Sequence, residues 1–439
     1  MSDMFEVRSR PQMVERALLI HVCRDRREEE EGHSLLEELK ELVDTLGINI
    51  IDAVFVHVSK TTARYLMGSG KAEELMNHAK ALDCDCIIFD NELSPAQQRA
   101  WEDESNIAVI DRQEVILDIF SKRAQTKEAT LQVQLARMQY ALPRMARMWG
   151  HLDRQGGGSG GGKGGAGAAR GEGEKQIEVD KRLARERISK LKSELDDVRK
   201  VRTTQRKERM KTPIPSAAIV GYTNAGKSSL LNLITGSDVL AEDKLFATLD
   251  TTTRKIELPD GQGLLLTDTV GFVRNLPHKL VEAFKATLEE AVLADFLIHV
   301  IDASSHEAVK HGKTTVEVLT ELGAEEKQMI SVLNKIDLIE DPGHLKALQQ
   351  HFPNAVPMSV KNGIGVDELI ARFNMMLHDR VMRLKLRVPV MRGDVISRLH
   401  EEAKVLTLDY DETDAVMTAI VPRRLLTQFE QFIAPVKEK

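Results

Sequence analysis

With 439 residues the chain is about three times as long as the ~150 at which a single hydrophobic core usually stops growing, which implies around three domains. Hydrophobic residues at 42% and charged residues at 29% are ordinary globular values, and they exclude wholesale disorder as well as a chain made only of coiled coil. Net charge is −7, the three cysteines (Cys23, Cys84, Cys86) are too few for a disulfide scaffold or a zinc site, and no apolar run reaches the ~18–20 residues of a membrane span, so a cytoplasmic protein with reduced thiols is expected.

Residues 1–122 alternate strand-like and helix-like runs. Ala17 to Val22, Asn49 to Val58, Cys86 to Phe89 and Ile107 to Ile110 are short, apolar and rich in β-branched residues, which predicts strands. Between them, Ser34 to Leu46, Lys71 to Leu82 and Ser94 to Glu104 carry helical spacing and N-cap residues. The alternation predicts a small α/β unit with a mostly parallel sheet. Gly68-Ser69-Gly70-Lys71 resembles a phosphate loop only superficially. Tyr65 stands where its first glycine belongs and Ala72 replaces its hydroxyl, so a turn into a helix is expected.

Residues 123–211 predict a basic helical hairpin. Leu131, Leu135, Met138, Leu142 and Met145 form one apolar stripe, and Ile188, Leu191, Leu195 and Val198 another, with Pro143 expected to kink the first helix. Between them a glycine-rich tip over 156–173 holds 11 of the 28 glycines and is expected to be a mobile loop carrying Lys163 and Arg170. From Ser121 to Lys211 there are 23 Lys and Arg against 11 Asp and Glu; that local +12 leaves −19, the difference from −7, for everything else. A basic block in an acidic chain is a footprint of contact with nucleic acid phosphates, although a solvated helical face with i,i+4 ion pairs has the same composition. Residues 212–380 repeat strand and helix, beginning with Ser216 to Val220. Residues 381–439 predict a small α+β domain: Leu384 to Val390, Val405 to Asp409 and Ala415 to Val421 as strands, Val395 to Ala403 as a helix, and a last helix after Pro422.

The chemistry lies in the third segment. Gly221-Tyr222-Thr223-Asn224-Ala225-Gly226-Lys227-Ser228 fits the P-loop pattern G-x-x-x-x-G-K-S and follows a buried strand, with Ser229 continuing into a helix. Loop amides and the helix N-terminus would cradle phosphates, Lys227 would reach the β and γ phosphates, and Ser228 would ligate Mg²⁺. Asp268-Thr269-Val270-Gly271 ends another apolar strand, which places Asp268 near the metal and the Gly271 N–H near the γ phosphate. Asn334-Lys335-Ile336-Asp337 follows a third. The Asp337 carboxylate can accept from both the ring N–H and the exocyclic amine of guanine, a pair that adenine lacks. Asn334 would brace the loop, the Lys335 stem would cover the base, and Ser359-Val360-Lys361 would support the guanine carbonyl.

These five elements are those of a GTPase, and their wording resembles the HflX-type GTPases. MGSGKAEEL, LQVQLARMQYALPRM, GYTNAGKSSLLN, KLFATLDTTTRKIEL, DTVGFVRNLPHKLVEAFKATLEE and NKID carry the likeness, over roughly residues 15 to 380. The resemblance implies a multidomain α/β chain. It would comprise an N-terminal α/β unit, a hairpin with a Gly-rich tip, a P-loop G domain with a mostly parallel sheet covered by helices on both faces, and a C-terminal α+β domain. It implies that Thr248, within Phe246-Ala247-Thr248-Leu249-Asp250, binds Mg²⁺ and senses the γ phosphate. It also implies binding of the large ribosomal subunit and its rRNA through the hairpin and loop, with separation of stalled or idle ribosomes. The tip departs from the family's usual ending: Arg170, Gly171, Gly173, Glu174 and Gln176 match, while Glu172 and Lys175 replace Pro and Thr.

Catalysis would rest on Lys227, Thr248 and Gly271, with Mg²⁺ bound by Ser228, Thr248 and Asp268 and GTP as substrate. The residue after Gly271 is Phe272, which can neither orient nor polarise water, so slow hydrolysis in isolation is expected. Asn224 stands either as ligand of a K⁺ ion or as a structural residue. A monomer is expected. The competing readings are an ATP-using RNA-remodelling factor and a nucleotide-gated regulator that binds protein through its helices; a metabolic P-loop kinase ranks last because the guanine motif would be superfluous.

Overall fold

The structure is a computed structural model and describes residues 14–147, 168–209, 214–236, 245–246, 248–259, 261–275, 289–378, 381–411, 413–422 and 425–434. The described residues divide into two compact units. The first holds residues up to Asp197 together with 245–246 and 274–275, and the second holds the remainder.

In the first unit β1 (Arg16–Cys23), β2 (Asn49–His57), β3 (Cys86–Phe89) and β4 (Ala108–Asp111) form an all-parallel sheet in the order β2-β1-β3-β4. Its interleaved helices are α1 (Glu29–Leu46), α2 (Ser69–Ala81) and α3 (Pro95–Ser105). Local chemistry fixes their ends: Gly47 closes α1 in the left-handed conformation (φ 76), and Ser94 with Gln97 forms a reciprocal capping box ahead of Pro95. The decoy Gly68-Ser69-Gly70-Lys71 is the start of α2, as its residues predict.

A further helix, α4 (Arg112–Arg123), was not expected, because its buried face includes Arg112 and Glu114 and hides the apolar period. The first hairpin helix, α5 (Lys127–Ala141), gives way to a 3-10 turn over Leu142–Arg147 that contains Pro143, where a kink was expected. That turn is docked by Arg144, whose guanidinium donates to Gln98 Oε1 at 3.0 Å and to the Leu93 carbonyl at 2.7 Å. Beside it Tyr140 donates to Asp111 Oδ1 at 3.1 Å, and burial pushes the Asp111 carboxyl up to about 6. Of the glycine-rich tip, residues 156–167 lie outside the described residues. Residues 168–173 are not loop, as expected, but the first turns of the 42-residue helix α6 (Ala168–Arg209). On α6 the predicted stripe is buried at Leu191 and Leu195, joined by Ala184, while Arg182, Arg185, Arg187, Lys190 and Lys192 are exposed.

The second unit contains a six-stranded sheet ordered β10-β9-β8-β5-β7-β6: β5 (Ser216–Gly221), β6 (Thr252–Glu257), β7 (Gly263–Asp268), β8 (Phe296–Asp302), β9 (Met329–Asn334) and β10 (Val356–Pro357). Only the β6–β7 pairing is antiparallel. Its helices include α7 (Lys227–Thr235), α8 (Ala308–Glu321), α9 (Pro342–His351) and α10 (Val366–His378). The central strands are largely apolar and almost wholly buried, β8 carrying His299 and ending on Asp302, as sheets covered on both faces require. The C-terminal segment forms an antiparallel sheet ordered β11-β13-β12, from β11 (Val381–Pro389), β12 (Lys404–Tyr410) and β13 (Asp414–Pro422). Helix α11 (Gly393–Glu402) packs on this sheet, and the short α12 (Leu426–Phe429) follows.

Candidate active site

The buried strand β5 delivers the chain into the P-loop at the carboxyl edge of the sheet, where open α/β folds bind ligands. Asn224 and Gly226 take left-handed backbone conformations (φ 58 and 94), and Gly226 becomes the N-cap of α7. A Cβ on Gly226 would lie 2.3 Å from Asn334 Nδ2, so no other residue fits. The resulting turn directs loop amides and the positive end of α7 toward one point, a ready anion site. Lys227 is buried and donates to the Tyr222 carbonyl at 2.7 Å; burial pulls its pKa down to about 8 despite the nearby Asp268. The Tyr222 ring stacks on His311 of α8, centroids 3.9 Å apart and planes within 8°, which holds the loop's outer side.

Three oxygen donors converge beside Lys227. The Ser228 hydroxyl lies 2.7 Å from Thr248 Oγ1 and donates to Asp268 Oδ2 at 2.6 Å; Thr248 Oγ1 is 3.0 Å from the same oxygen. Asp268 is fully buried, its other oxygen, Oδ1, has no hydrogen-bond partner among the described residues, and burial raises its pKa while Lys227 opposes the rise. Two hydroxyls and a buried carboxylate with an unsatisfied oxygen are a hard-donor set of the kind Mg²⁺ takes alongside phosphate oxygens. The residues therefore fit the ion.

The segment after Asp268 lies on the P-loop. Thr269 donates to the Ile219 carbonyl at 2.7 Å, Phe272 N–H donates to Gly221 O at 3.1 Å, and Thr223 N–H donates to Phe272 O at 2.8 Å. A Cβ on Gly271 would meet Lys227 Nζ and Thr223 Cα, each at 2.8 Å, so only glycine allows this approach. Phe272 itself is buried at 1% exposure, as is Val270 at 5%.

On the base side, Asn334 at the end of β9 donates to the Ala225 carbonyl at 2.8 Å and accepts from Val360 N–H at 3.1 Å. Lys335 has φ 63, and its ammonium pairs with Asp302 at 2.8 Å. Asp337 is exposed and accepts from the Ser359 hydroxyl at 2.6 Å, and Ser359 is held by two main-chain bonds to Ile364. Lys361 is exposed beside it. One carboxylate is thus steadied at the rim of a loop that reaches back to the P-loop.

Comparison with known proteins matches residues 33–121 to a GTP-binding GTPase N-terminal region, 123–209 to a GTP-binding GTPase middle region and 216–335 to a 50S ribosome-binding GTPase domain. The GTPase HflX of Akkermansia muciniphila is 59% identical over 437 residues, covering 98% of this chain and all of that one. The chain belongs to the HflX family of GTPases. GTPase HflX of Escherichia coli K12 is 40% identical, covering 88% of each chain. A GTP-binding protein from Sulfolobus solfataricus, solved in complex with GDP, covers 83% of this chain and 99% of its own at 23% identity and a TM-score of 0.44. As an HflX-family enzyme the protein binds GTP and hydrolyses it to GDP and phosphate.

The structure of this HflX-family chain gathers Gly221 to Ser229, Thr248, Asp268 to Gly271, Asn334, Lys335, Asp337 and Ser359 to Lys361 in the second unit. Leu249 is buried and Asp250 half-buried beside Thr248 in sequence. Ala247 lies outside the described residues. Phe246 is placed elsewhere: its ring packs edge-on against Phe120 in the first unit, 4.5 Å between centroids. Sequence reasoning missed Asp302 and His311. Asp302 had a signal, since it ends the largely apolar strand β8 as Asp268 ends β7. His311 had none, because its contact with Tyr222 exists only once α8 is packed.

Proposed function

We propose that this GTPase works on the large ribosomal subunit, contacts rRNA through the basic helical segment 123–211, and separates stalled or idle ribosomes in the cytoplasm as a monomer. The four-part division at 122, 211 and 380 belongs to the same proposal. The observation that carries the reading is Phe272. It follows the D-x-x-G motif, is buried, and is bound through its main chain to Gly221 and Thr223, so this chain offers no polar side chain there to hold the attacking water. Such an enzyme needs a partner to complete its site, and the match of residues 216–335 to a 50S ribosome-binding GTPase domain supports the class of partner. The exposed arginines and lysines of α6 support an rRNA contact.

In this reading Lys227 and the loop amides neutralise charge as it develops on the phosphates, and Gly271 N–H meets the γ phosphate. Ser228, Thr248 and Asp268 would hold Mg²⁺, which would supply positive charge to offset that of the phosphates. Asp337 selects guanine, and the stem of Lys335, tethered by Asp302, covers the base. For Asn224 the left-handed backbone supports a turn-forming role, which asparagine tolerates better than most residues, over a K⁺ ligand. The test is turnover of GTP by the purified chain with and without large subunits, at fixed salt because phosphate contacts are salt-dependent. We expect stimulation of about a hundredfold or more, in the range a supplied catalytic group provides. Fast turnover without subunits, or none of this stimulation with them, would refute the reading.

A further inference from the structure

The P-loop has a single large side chain. Over residues 221–226 the others are Gly, Thr, Asn, Ala and Gly, so Tyr222 alone gives the loop a broad face to pack with. Its ring is buried and lies flat on the half-buried imidazole of His311, with centroids 3.9 Å apart. His311 belongs to none of the nucleotide motifs.

Both partners rest against β8. A Cβ on Gly221 would lie 2.2 Å from the Val300 carbonyl oxygen, so the end of β5 runs tightly along that strand. On α8, Ala308 and Thr315 are buried, and a Cβ on Gly312 would lie 2.6 Å from the ring of Phe352, which meets His299 of β8 edge-on. The first turns of α8 are therefore pressed onto the sheet, and the imidazole is carried on a rigid support.

The stack matters because of what the main chain of Tyr222 does. Its carbonyl accepts from Lys227 Nζ at 2.7 Å and from Ala225 N–H at 3.4 Å, while Gly221 and Thr223 on either side are bonded to the Phe272 main chain. A lysine ammonium ends a flexible stem, so its place is set by whatever accepts from it. Here the acceptor is Tyr222 O, and a shift of that residue would drag its ring off the imidazole. We propose that His311 is a positioning residue for phosphate binding: through Tyr222 it fixes the carbonyl that holds Lys227 Nζ, and so the place from which the ammonium meets a phosphate. A loop held in this way before its ligand arrives has less ordering left to do on binding. His311, Tyr222, Lys227 and Phe272 all lie in the second unit. The inference rests on the reading of Gly221 to Ser228 as a nucleotide loop and adds to it a residue of α8. The polar neighbour of the imidazole is Glu307, whose Oε2 is 3.8 Å from Nε2 and whose Oε1 pairs with Lys310 at 2.9 Å. Ring face and ring nitrogen can therefore be separated by substitution.

The test measures GDP affinity by calorimetry on the full chain with Mg²⁺ at one pH, beside thermal melts of the nucleotide-free chain. GDP is the probe because it carries the β phosphate assigned to Lys227 and is not turned over. His311→Phe keeps a flat face and loses the nitrogens, whereas His311→Gln keeps a polar group and loses the face. We expect the phenylalanine variant to stay within about twofold of wild type and the glutamine variant to bind about three- to tenfold more weakly, the weight of one aromatic pair. In a double-mutant cycle His311→Gln should add less than about twofold to the loss from Tyr222→Leu, since the ring it acts on is already gone. If His311→Gln does not fold, His311→Leu takes its place. Wild-type affinity in the glutamine variant, equal losses in both variants, or full additivity with Tyr222→Leu overturns the proposal, whatever the melts show. A residue that only stabilises α8 would move the melting temperature and leave the affinity of the folded chain alone. A wild-type chain that did not bind GDP would overturn the loop reading and this inference with it, whereas wild-type binding with unchanged variants overturns this inference alone.

Discussion

The molecule carries two mostly parallel sheets, and each has a Gly-Lys pair at the mouth of a helix, yet only the second pair sits in a loop of the kind that cradles phosphate. In the first unit Gly68 caps α2 with an ordinary extended backbone (φ −63, ψ 147), nothing lies within 4 Å of where its Cβ would be, and Lys71 turns outward to Glu74 at 2.7 Å. In the second, Gly226 is left-handed and pressed against Asn334, and Lys227 is buried at 6% exposure. The lesson is that a phosphate loop is defined by crowding. Glycine in a roomy turn is replaceable, whereas glycine under a side chain that also braces the base loop is not.

That contrast can be broken most directly through the lysines. Lys227→Ala should reduce GTP turnover by about a hundredfold or more, the cost of removing a preorganised cation from a transition state, while Lys71→Ala should leave turnover at the wild-type level. A deficit in both, or in neither, would erase the distinction drawn between the two loops. Next in size is the pair of glycines. Gly226→Ala should abolish nucleotide binding in calorimetry, because the methyl group has no room and its backbone is strained. Gly68→Ala should cost stability of only about 1 kcal/mol, the difference between a glycine and an alanine N-cap, with binding intact.

A further contrast concerns acid. Each sheet holds a buried titratable group, and the two respond in opposite senses. His299 on β8, pulled down to about 4 by burial, is neutral in the fold, so its contribution is complete above its ordinary value near 6.5 and is lost as pH falls through about 4. Asp111, raised to about 6, contributes in full below the ordinary carboxylate range, and its contribution is lost as pH climbs through 6. Shifts of this size correspond to about 3 kcal/mol each. Thermal melts from pH 4 to 7 should show a shallower acid-side loss for His299→Gln and a shallower loss toward neutral pH for Asp111→Asn. Slopes identical to wild type would show that neither group titrates as its burial requires.

How much of this was legible beforehand depended on range. Gly221 to Ser228, Asp268 to Gly271 and Asn334 to Asp337 could be read because each motif sits at the end of a short apolar run, and such runs announce themselves locally. Helix α4 could not, since Arg112, Glu114 and Asp111 are buried polar groups whose partners, among them Glu38 and Arg144, come from distant segments. The placement of Phe246 and Arg274 in the first unit was equally hidden. Glu38 and Arg274 are 236 residues apart, and no local pattern encodes a partner at that distance. The start of α6 at Ala168 defied composition, because glycine and alanine there were read as linker while the residues beyond them form a long helix able to extend backward.

Asn334 carries a consequence of its own. With its amide nitrogen on Ala225 and its oxygen on Val360, a single side chain spans the cradle for the phosphates and the loop for the base. Under the proposed reading of the site, discrimination against a foreign purine would be felt at both ends of the ligand: a base that failed to settle would leave Asn334 unsteady, and the triphosphate grip would slacken with it. The enzyme would reject the wrong nucleotide partly by holding its tail badly, so selectivity and catalytic alignment are secured by the same amide.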